Sequence, residues 1–563
     1  MSLFPTVSVE STVLLSAIAG LTSHIIFKNY EPNDLYSLVA LLAVVPALPV
    51  VWLGQLSTPF ALLLSYGVYY GTLLGSIVTY RLSPFHPLSN YSGPLLSKIS
   101  KLWLVYVTSK GKQYLYVQQL HQKYGPIVRI GPNELSIIDT DLIPYILGSE
   151  GMPKGPLWEG REFSSKRDTA VNRDKKGHFI GAHDFAVHAE ARKTWNRAFT
   201  TAAVKGYEPV IIKRAAQLID ELRQRYAQSE DEQIEVDLAR WLSYCIFDWT
   251  GDMVYGGGIE LMHEGDKQGY YHTMMSGLYL PALTGHIPWC GRALPYFSFV
   301  GKHTKALGLF AYKQLTRRLQ EGSVTNDLFY HLLDEGKEDG NPSTPFSVIM
   351  IYAITATVAA SDTSGTALCN IMYCVLSNPD CYAHLKEEVD TTFGAAEPVD
   401  AVKLASMEYL NAVINEGLRL FPALPTTLQR APTPGSGPHR IGPDIVIPEG
   451  TAVIVPSYTM QRDPRYFSPD PEKFAPERWL AGKNRPSGGV HNTSAFIPFS
   501  TGPMNCVGRP AAILALRMVL VYLVQAFDMR FAEGYRPRQW EEDLGDYFSW
   551  QKGSMPVVLT PRF

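Results

Sequence analysis

Residues Phe499–Gly508 read F-S-T-G-P-M-N-C-V-G, with one cysteine, Cys506, set between Gly502 and Gly508. Glycine lets a backbone turn sharply and come close to another object. The apolar residues Ala511, Ala512, Ile513 and Leu514 follow, so a helix starts just past Cys506. Backbone N–H groups at a helix start stabilise a thiolate and lower its pKa. A lone thiolate on such a loop suits axial ligation of a haem iron. Taken by itself, Cys506 reads better as a buried structural cysteine, the commoner fate of a free thiol.

Three further groups change that balance. Glu416 and Arg419 stand three residues apart, on one face of a helix. Pro476-Glu477-Arg478-Trp479 closes an irregular, proline-rich stretch and supplies a second arginine. A buried glutamate with two arginine partners could fix that stretch, and such networks specify geometry more than they add net stability. Ala359-Ala360-Ser361-Asp362-Thr363 lies inside a long apolar helical pattern running from Pro345 to Ser377 and stopped by Asn378-Pro379. The small residues open a groove beside an acid and a hydroxyl. Relaying protons to dioxygen would give a charge in that place its reason.

The elements that must position these groups can be read in outline. Tyr124–Ser136 places two Gly-Pro breaks around a short apolar run, predicting a helix end, a turn and a strand. Ala189–Phe199, with Arg192, Lys193 and Arg197, has helical composition. Gly151–His183 is polar with scattered charges, a long loop of the size that serves as a lid. Tyr270–Val300 is oily and aromatic, which fits either core helix plus loop or a substrate mouth dipping into a membrane. Asp390–Leu424 reads as helix, and residues 440–460 as short strands around a Pro-Glu-Gly turn. There is no internal repeat and no low-complexity tract.

Composition bounds the rest. The chain has 563 residues, 50 Lys+Arg against 53 Asp+Glu, and a formal net charge of −3, which argues against a bulk nucleic-acid binder. Hydrophobic residues make up 46%, too many for a disordered chain. Six cysteines with no C-x-x-C spacing build neither a disulfide framework nor a zinc finger, and fit a reducing, cytosol-facing compartment. Three apolar runs open the chain: Ser11–Phe27, Leu38–Leu53 and Phe60–Thr79. The third is twenty residues without a charge, matching a hydrocarbon core; the first two are spans, re-entrant segments or interfacial helices. No cleavable signal peptide is expected, because no basic region precedes Ser11. Between Arg81 and Asn133 there are seven basic residues and no acid, which marks the cytoplasmic side. Pro84–Pro94 predicts a stiff hinge.

In order and spacing, the groups at 359–363, 416–419, 476–479 and 499–508 resemble the cytochrome P450 superfamily, haem-thiolate monooxygenases of the membrane-bound eukaryotic type. The resemblance runs from residue 83 to the end, and the multi-span N-terminus with its Y-R-L-S-P-F-H-P-L hinge looks most like fungal members. It implies a mainly α fold with small β-sheets, preceded by N-terminal transmembrane helices, and haem b (iron protoporphyrin IX) as cofactor. It divides the chain into a membrane region at 1–82, a hinge at 83–94 and a catalytic domain at 95–563. Cys506 is then the axial ligand of the haem iron, on a cofactor loop shaped by Gly502 and Gly508, with Phe499 packed near the sulfur. Asp362 and Thr363 deliver protons, and Glu416, Arg419 and Arg478 form the structural triad. His188, Arg192 and Arg430 are the family's candidates for holding the haem propionates. Two positions depart from the pattern. Met504 stands where the family usually has Arg or His against a propionate, and Ala360 stands where glycine is commoner.

The function so implied is oxidation of a lipophilic small molecule, a secondary metabolite such as a terpenoid, with O2. The chain has no glycine-rich dinucleotide fingerprint, so electrons would come from NADPH-cytochrome P450 reductase in the same membrane, the endoplasmic reticulum, with the body facing the cytosol. The expected partners are that reductase, the substrate, O2 and membrane lipid, with no nucleic acid. Two other readings stand beside this one: a haem-thiolate isomerase or dehydratase that rearranges a peroxide without external electrons, and a non-enzymatic membrane-tethered haem binder. Dependence of turnover on NADPH and reductase separates the first from the monooxygenase. An absent carbon monoxide difference band would favour the second.

Overall fold

The computed structural model describes residues 9–30, 32, 34–51, 58–161, 179–229, 233–293, 302–333, 335, 344–394, 398–481 and 488–562. Parts of three sequence expectations lie outside them: the middle of the 151–183 loop, residues 294–300 of the aromatic stretch, and residues 52–53 of the second apolar run.

The first two long helices, Val9–Tyr30 and Thr58–Leu82, pack against each other. The side that Val9–Tyr30 buries is small and polar (Thr12, Ser16, Gly20, Ser23), while Leu14, Ile18, Leu21 and Ile25 face outward. That is the reverse of a soluble helix and the pattern of one packed in lipid. A Cβ on Gly20 would lie 2.8 Å from the Tyr69 carbonyl oxygen, so glycine sets the spacing. The Ser16 and Ser65 hydroxyls bond at 2.9 Å, and the Ser23 and Tyr69 hydroxyls at 2.8 Å. Between the two helices, Leu35–Val51 is a short apolar helical segment that passes through π and 3-10 turns. Pro46 and Pro49 remove backbone donors there. Carbonyls of Leu41, Leu42, Ala43 and Pro46 instead accept hydroxyl hydrogens from Tyr69, Tyr70, Tyr66 and Ser65, as backbone at membrane depth requires. These apolar elements mark the chain as membrane-associated.

The expected hinge has a concrete anchor. Buried Arg129 donates to the carbonyls of Arg81 at 3.2 Å and Pro132 at 2.9 Å, its N–H bonds Ser92 O at 2.8 Å, and its guanidinium lies 3.3 Å from His86 Nε2. The strap from 83 to 94 is thus fastened to the first sheet rather than swinging free.

The body is mainly helical. Its axis is Phe346–Leu376, in which every residue from Ser364 to Leu376 is buried. The absence of a polar face, which in the N-terminal helices reflects lipid, here reflects enclosure by Leu238–Tyr255, Glu408–Leu420 and Arg509–Ala526. The 390–424 stretch is not one helix. It breaks into Pro379–Thr392, Ala401–Ser406 and Glu408–Leu420, because Phe393-Gly394 and Pro398 interrupt it and Asp400 caps the next start through Val402 and Lys403 N–H. The 124–136 segment gives two strands, not one: Ile127–Gly131 pairs antiparallel with Glu134–Ile137. Ala452–Val455 adds in parallel, and Leu428–Arg430 closes the four-stranded sheet. A second sheet orders Ile234–Asp237, Pro556–Pro561 and Phe527–Phe531, and Gly545–Tyr547 pairs with Ser549–Gln551 as a small hairpin. Small sheets at the edge of a helical body match the predicted fold class.

Candidate functional site

Residues 499–508 fold back on themselves: Cys506 N–H donates to Phe499 O at 2.9 Å and Asn505 N–H to Gly502 O at 3.1 Å. Gly502 has φ +74, and a Cβ there would lie 2.1 Å from Leu147 O, so both conformation and contact demand glycine. Gly508 differs. Its φ is −81, and a Cβ would meet Phe199 and the Cys506 sulfur only at 3.8–3.9 Å. The protein itself does not require glycine there; a group lying over the sulfur would. Gly508 caps the helix Arg509–Ala526, and the Arg509 guanidinium sits 5.6 Å from the Phe499 ring centre.

The Cys506 side chain is exposed only in the sense that it lines an internal cavity of about 510 Å³. Burial raises its thiol pKa, and the N–H groups of Gly508 and Arg509 with the charges of Arg192 and Arg509 oppose that without reversing it. The helix start alone therefore does not make the thiolate expected from the sequence, because desolvation is the larger effect. A coordinated metal would deprotonate it outright. Among the described residues no group of three or more His, Cys, Asp or Glu could hold a metal ion. A metal at Cys506 would therefore arrive with its other ligands already attached.

The cavity walls answer what such a group needs. Phe499, Met504, Val507 and Gly508 line the cavity together with Cys506, and Ala359, Ala360 and Thr363 line it from the long helix. Cations Lys154, Arg161 and Arg430, with His188, line it too, and its described lining contains no Asp or Glu. A planar, apolar macrocycle carrying two carboxylates fits that donor set: thiol at one side, cations for the carboxylates, glycine and alanines where a ring must pass. Arg430 is 2% exposed, donates to Gln429 O at 3.0 Å, and is lowered to about 10 by burial. His188 is pushed down to about 4 by burial and by the charges of Lys154, Arg192 and Arg430, so it is a neutral donor stacked on Phe179, with ring centres 5.1 Å apart.

Arg192 departs from expectation. It shares a helix face with His188, yet it is not among the cavity's lining residues. Its Nε donates to Asn196 Oδ1 at 2.8 Å, Nη2 to Asn505 Oδ1 at 2.8 Å, and Nη1 to Asn505 O. Those bonds spend its guanidinium on the Cys506 loop. Met504, 8% exposed, does line the cavity and brings no charge. Lys154 was not legible as a site residue. It lies on a strap docked to the sheet edge, where Gly155 N–H bonds Gln429 O at 3.3 Å and Ala431 N–H bonds Pro153 O at 3.0 Å. The sequence signal was a lysine held in Met152-Pro153-Lys154-Gly155-Pro156.

Glu416 is fully buried and collects five hydrogen bonds. Arg419 Nε and Nη2 and Arg478 Nε donate at 2.8 Å, Trp479 Nε1 at 2.9 Å and Ala475 N–H at 3.0 Å. Burial works against its charge, but the hydrogen bonds and charges of Arg419 and Arg478 outweigh it and hold its pKa below the usual range. Arg419 further donates to the carbonyls of Gln461, Pro471 and Lys473. Gln461 passes the constraint on, because its Oε1 accepts from Ile497 N–H at 2.9 Å, two residues before Phe499.

Asp362 and Thr363 part company on their helix. Thr363 lines the cavity and its hydroxyl donates to Ala359 O at 2.6 Å. Asp362 is absent from the lining. Its carboxyl takes a hydrogen bond from Ser549, lies 3.5 Å from Thr366 Oγ1 and is near the Lys552 charge. Burial raises its pKa against those three. Across the cavity, Met274, Gly277, Leu278 and Pro281 contribute apolar wall, so the aromatic stretch from 270 does reach the site.

The chain has relatives among known proteins. Residues 94–554 match the family described as Cytochrome P450. The chain is 31% identical to "Cytochrome P450 monooxygenase FCK2" of Fusarium pseudograminearum over 494 residues, 87% of this chain and 85% of that protein. It is 30% identical to "Cytochrome P450 monooxygenase phqL" of Penicillium fellutanum, covering 98% and 95% of the two chains. It is 28% identical to "Tryprostatin B 6-hydroxylase" of Aspergillus fumigatus, covering 100% and 98%.

Proposed function

The chain belongs to the cytochrome P450 family, and we propose that it is a membrane-bound monooxygenase that oxidises a lipophilic secondary metabolite. Relatives named as monooxygenases of fungi, one of them a tryprostatin B 6-hydroxylase, support the class. The observation that carries the reading is the shared cavity: the Cys506 sulfur, the Thr363 hydroxyl and the cations Lys154, Arg161 and Arg430 line one space, with no carboxylate among the described lining residues.

Haem b, when bound, supplies reductive activation of dioxygen through its thiolate-ligated iron. Cys506 is the residue to ligate it, and Phe499, Gly502 and Gly508 shape the loop that presents the sulfur. Lys154, His188 and Arg430 hold the carboxylates. Arg192 positions the loop through Asn505. Thr363 presents a hydroxyl at the reacting side and must turn from Ala359 O to pass a proton. Asp362, kept on the far side by Ser549 and Lys552, is the reserve acid behind it. Apolar walls exclude bulk water. Residues 1–82 tether the protein to the endoplasmic reticulum, 83–94 strap that anchor to the body, and 95–563 form the catalytic domain on the cytosolic side, taking electrons from NADPH-cytochrome P450 reductase.

The test is expression of the full chain with that reductase, followed by haem content, the carbon monoxide difference spectrum and product mass spectrometry over a lipophilic panel. NADPH-dependent incorporation of one oxygen atom supports the reading. A thiolate-type spectrum with turnover independent of NADPH and reductase would replace it with the isomerase.

A further inference from the structure

Asp362 is buried on the long helix Phe346–Leu376, outside the cavity, and the groups around its carboxyl come partly from far along the chain. Ser549, on the C-terminal hairpin, donates to one carboxylate oxygen, and Thr366 Oγ1, one helical turn on, lies 3.5 Å from the other. Lys552, just past that hairpin, donates to Thr366 Oγ1 at 3.1 Å. Ammonium, hydroxyl and carboxylate are thus strung together, with the threonine accepting from the lysine and turning its own hydrogen to the acid. Lys552 is also held from a second side. Its ammonium lies 6.0 Å from the centre of the Tyr271 ring, and its neighbour Gln551 donates to Met275 O at 2.9 Å. Both contacts are to the helix Tyr270–Gly277.

A carboxylate taken out of water keeps its charge only where a cation or donors answer it. Burial raises the Asp362 pKa, and the Lys552 charge, then the hydroxyls of Ser549 and Thr366, work against that rise. Burial also works against the charge of Lys552, yet Tyr271, Cys369 and Asp362 raise its pKa above the ordinary lysine value. The ammonium therefore stays protonated and acts through its field rather than by giving up a proton. The titratable groups facing the pair are Tyr271, Cys369 on the acid's own helix, and Asp237 beyond Cys369. The helix Leu238–Tyr255 brings the uncharged Ser243 hydroxyl to 4.0 Å from the Cys369 sulfur, and Tyr244 against Tyr271 with ring centres 5.7 Å apart. Resting on the monooxygenase reading above, we infer that Lys552 is a positioning residue: through Thr366 it holds Asp362 as a carboxylate turned away from the cavity, an acceptor that can load the proton the Thr363 hydroxyl passes on. An apolar side chain at 552 would leave the acid with hydroxyl donors alone.

The measurement is the titration of Asp362 itself, by pH-difference infrared spectra of the purified full chain from about pH 5 to about pH 9. Its protonated-carboxyl band is identified by its loss in Asp362→Asn. The shared hydroxyl keeps the ammonium within about 7 Å of the carboxylate, where an opposite charge moves a titration by about one to two pH units. Removing a cation disfavours the carboxylate, so Lys552→Met and Lys552→Gln should raise the midpoint by that much. Lys552→Arg keeps the charge and should stay within about half a pH unit of the wild type. Haem content, read by pyridine haemochrome, should be unchanged in all three. An absent, unmoved or lowered midpoint in the two uncharged variants overturns the inference, and so does a shift in Lys552→Arg as large as theirs. A wild-type band that persists to about pH 9 overturns it too, because the acid is then no carboxylate. Haem loss in both uncharged variants would overturn it by making Lys552 a support of the fold. The titration needs no turnover, so it judges Lys552 whatever reaction the chain performs. A wild-type chain with no thiolate-type carbon monoxide spectrum would instead overturn the haem-thiolate reading, which separates the two failures.

Discussion

Glu416→Gln is the substitution whose cost can be worked most directly from the structure. The carboxylate accepts five hydrogen bonds, three of them from arginine nitrogens at 2.8 Å, and both Glu416 and Arg419 are 0% exposed. Bonds to a charged group contribute about 1.5–3 kcal/mol each, but they share one acceptor and do not add. The dominant loss is that two buried guanidiniums keep their charge without an anion, which costs about 3–5 kcal/mol when one partner of a buried network is removed. Set against a typical total of about 5–15 kcal/mol, that is enough to open the segment the network ties down. The order of failure follows from the contacts. Arg419 grips the carbonyls of Gln461, Pro471 and Lys473, and Gln461 holds Ile497 N–H. The 461–479 stretch should loosen first, and the Cys506 loop should follow. The assay is haem per protein by pyridine haemochrome, beside limited proteolysis with cleavage sites mapped by mass spectrometry. Trp479→Phe, which removes only one of the five bonds, is the graded control and should lose about 1.5–3 kcal/mol with most haem retained. Full haem occupancy and wild-type proteolysis in Glu416→Gln would refute the idea that this network positions the ligand loop.

Cys506→Ser should abolish the thiolate-type carbon monoxide spectrum, and its survival would remove Cys506 as the ligand. Thr363→Ala should keep haem but lower the ratio of product formed to NADPH consumed; an unchanged ratio denies the hydroxyl a part in proton delivery. Arg430→Ala should lose haem more sharply than Arg192→Ala, because Arg430 lines the cavity and Arg192 is engaged by Asn196 and Asn505; Met504→Arg should partly restore the haem lost in Arg430→Ala, as read by pyridine haemochrome. Acid should loosen the first sheet through His121, whose ring bonds Gly125 O at 2.8 Å and Ser136 Oγ at 2.7 Å and whose pKa burial lowers from 6.5 to about 4. A depressed folded pKa means that the unfolded chain takes up the proton first, so this contribution is complete above about pH 6.5 and lost as the pH falls toward about 4. His121→Gln should flatten the thermal-midpoint profile across that window.

How much of this was legible in the chain depends on whether the deciding interaction was local. The long helix at 346–376, the helix after Cys506 and the strands at 439–455 follow from apolar pattern, Asn378-Pro379 and glycine turns, all within a few residues of what they shape. Asp390–Leu424 was misread as continuous because its breaks rest on Phe393-Gly394 and an Asp400 cap, weak signals inside a run of good helix formers. The strand Glu134–Ile137 lies past the second Gly-Pro break and is not legible as a strand, because it is fixed by pairing to Ile127–Gly131 on one side and to Ala452–Val455, some three hundred residues away, on the other. The C-terminal sheet is not legible in the sequence for a related reason: Pro556–Pro561 is a strand because Ile234–Asp237 and Phe527–Phe531 flank it.

The site shows the same division at finer grain. Spacing reveals which residues share a helix face, but not where a long side chain ends. His188 and Arg192 share a face, yet one enters the cavity and the other is drawn off by Asn505. Asp362 and Thr363 are adjacent, and adjacency on a helix turns them about a hundred degrees apart, so an acid–hydroxyl pair in sequence becomes a hydroxyl in the cavity and a buried acid behind it. What keeps that acid there, Ser549 and Lys552, comes from a hairpin nearly two hundred residues downstream. The cations show the complement of this. Lys154 and Arg161 looked like scattered charges on a polar loop, and became the wall of an apolar cavity only once residues 153–157 docked on the Leu428–Arg430 strand. A charge on a loop is a solvated charge until the loop has an edge to pair with. Here Gln429 provides that edge, with its carbonyl and amide oxygens accepting from Gly155 and Leu157 N–H. The same short strand therefore supplies Arg430 directly and carries Lys154, Trp158 and Arg161 into place behind it.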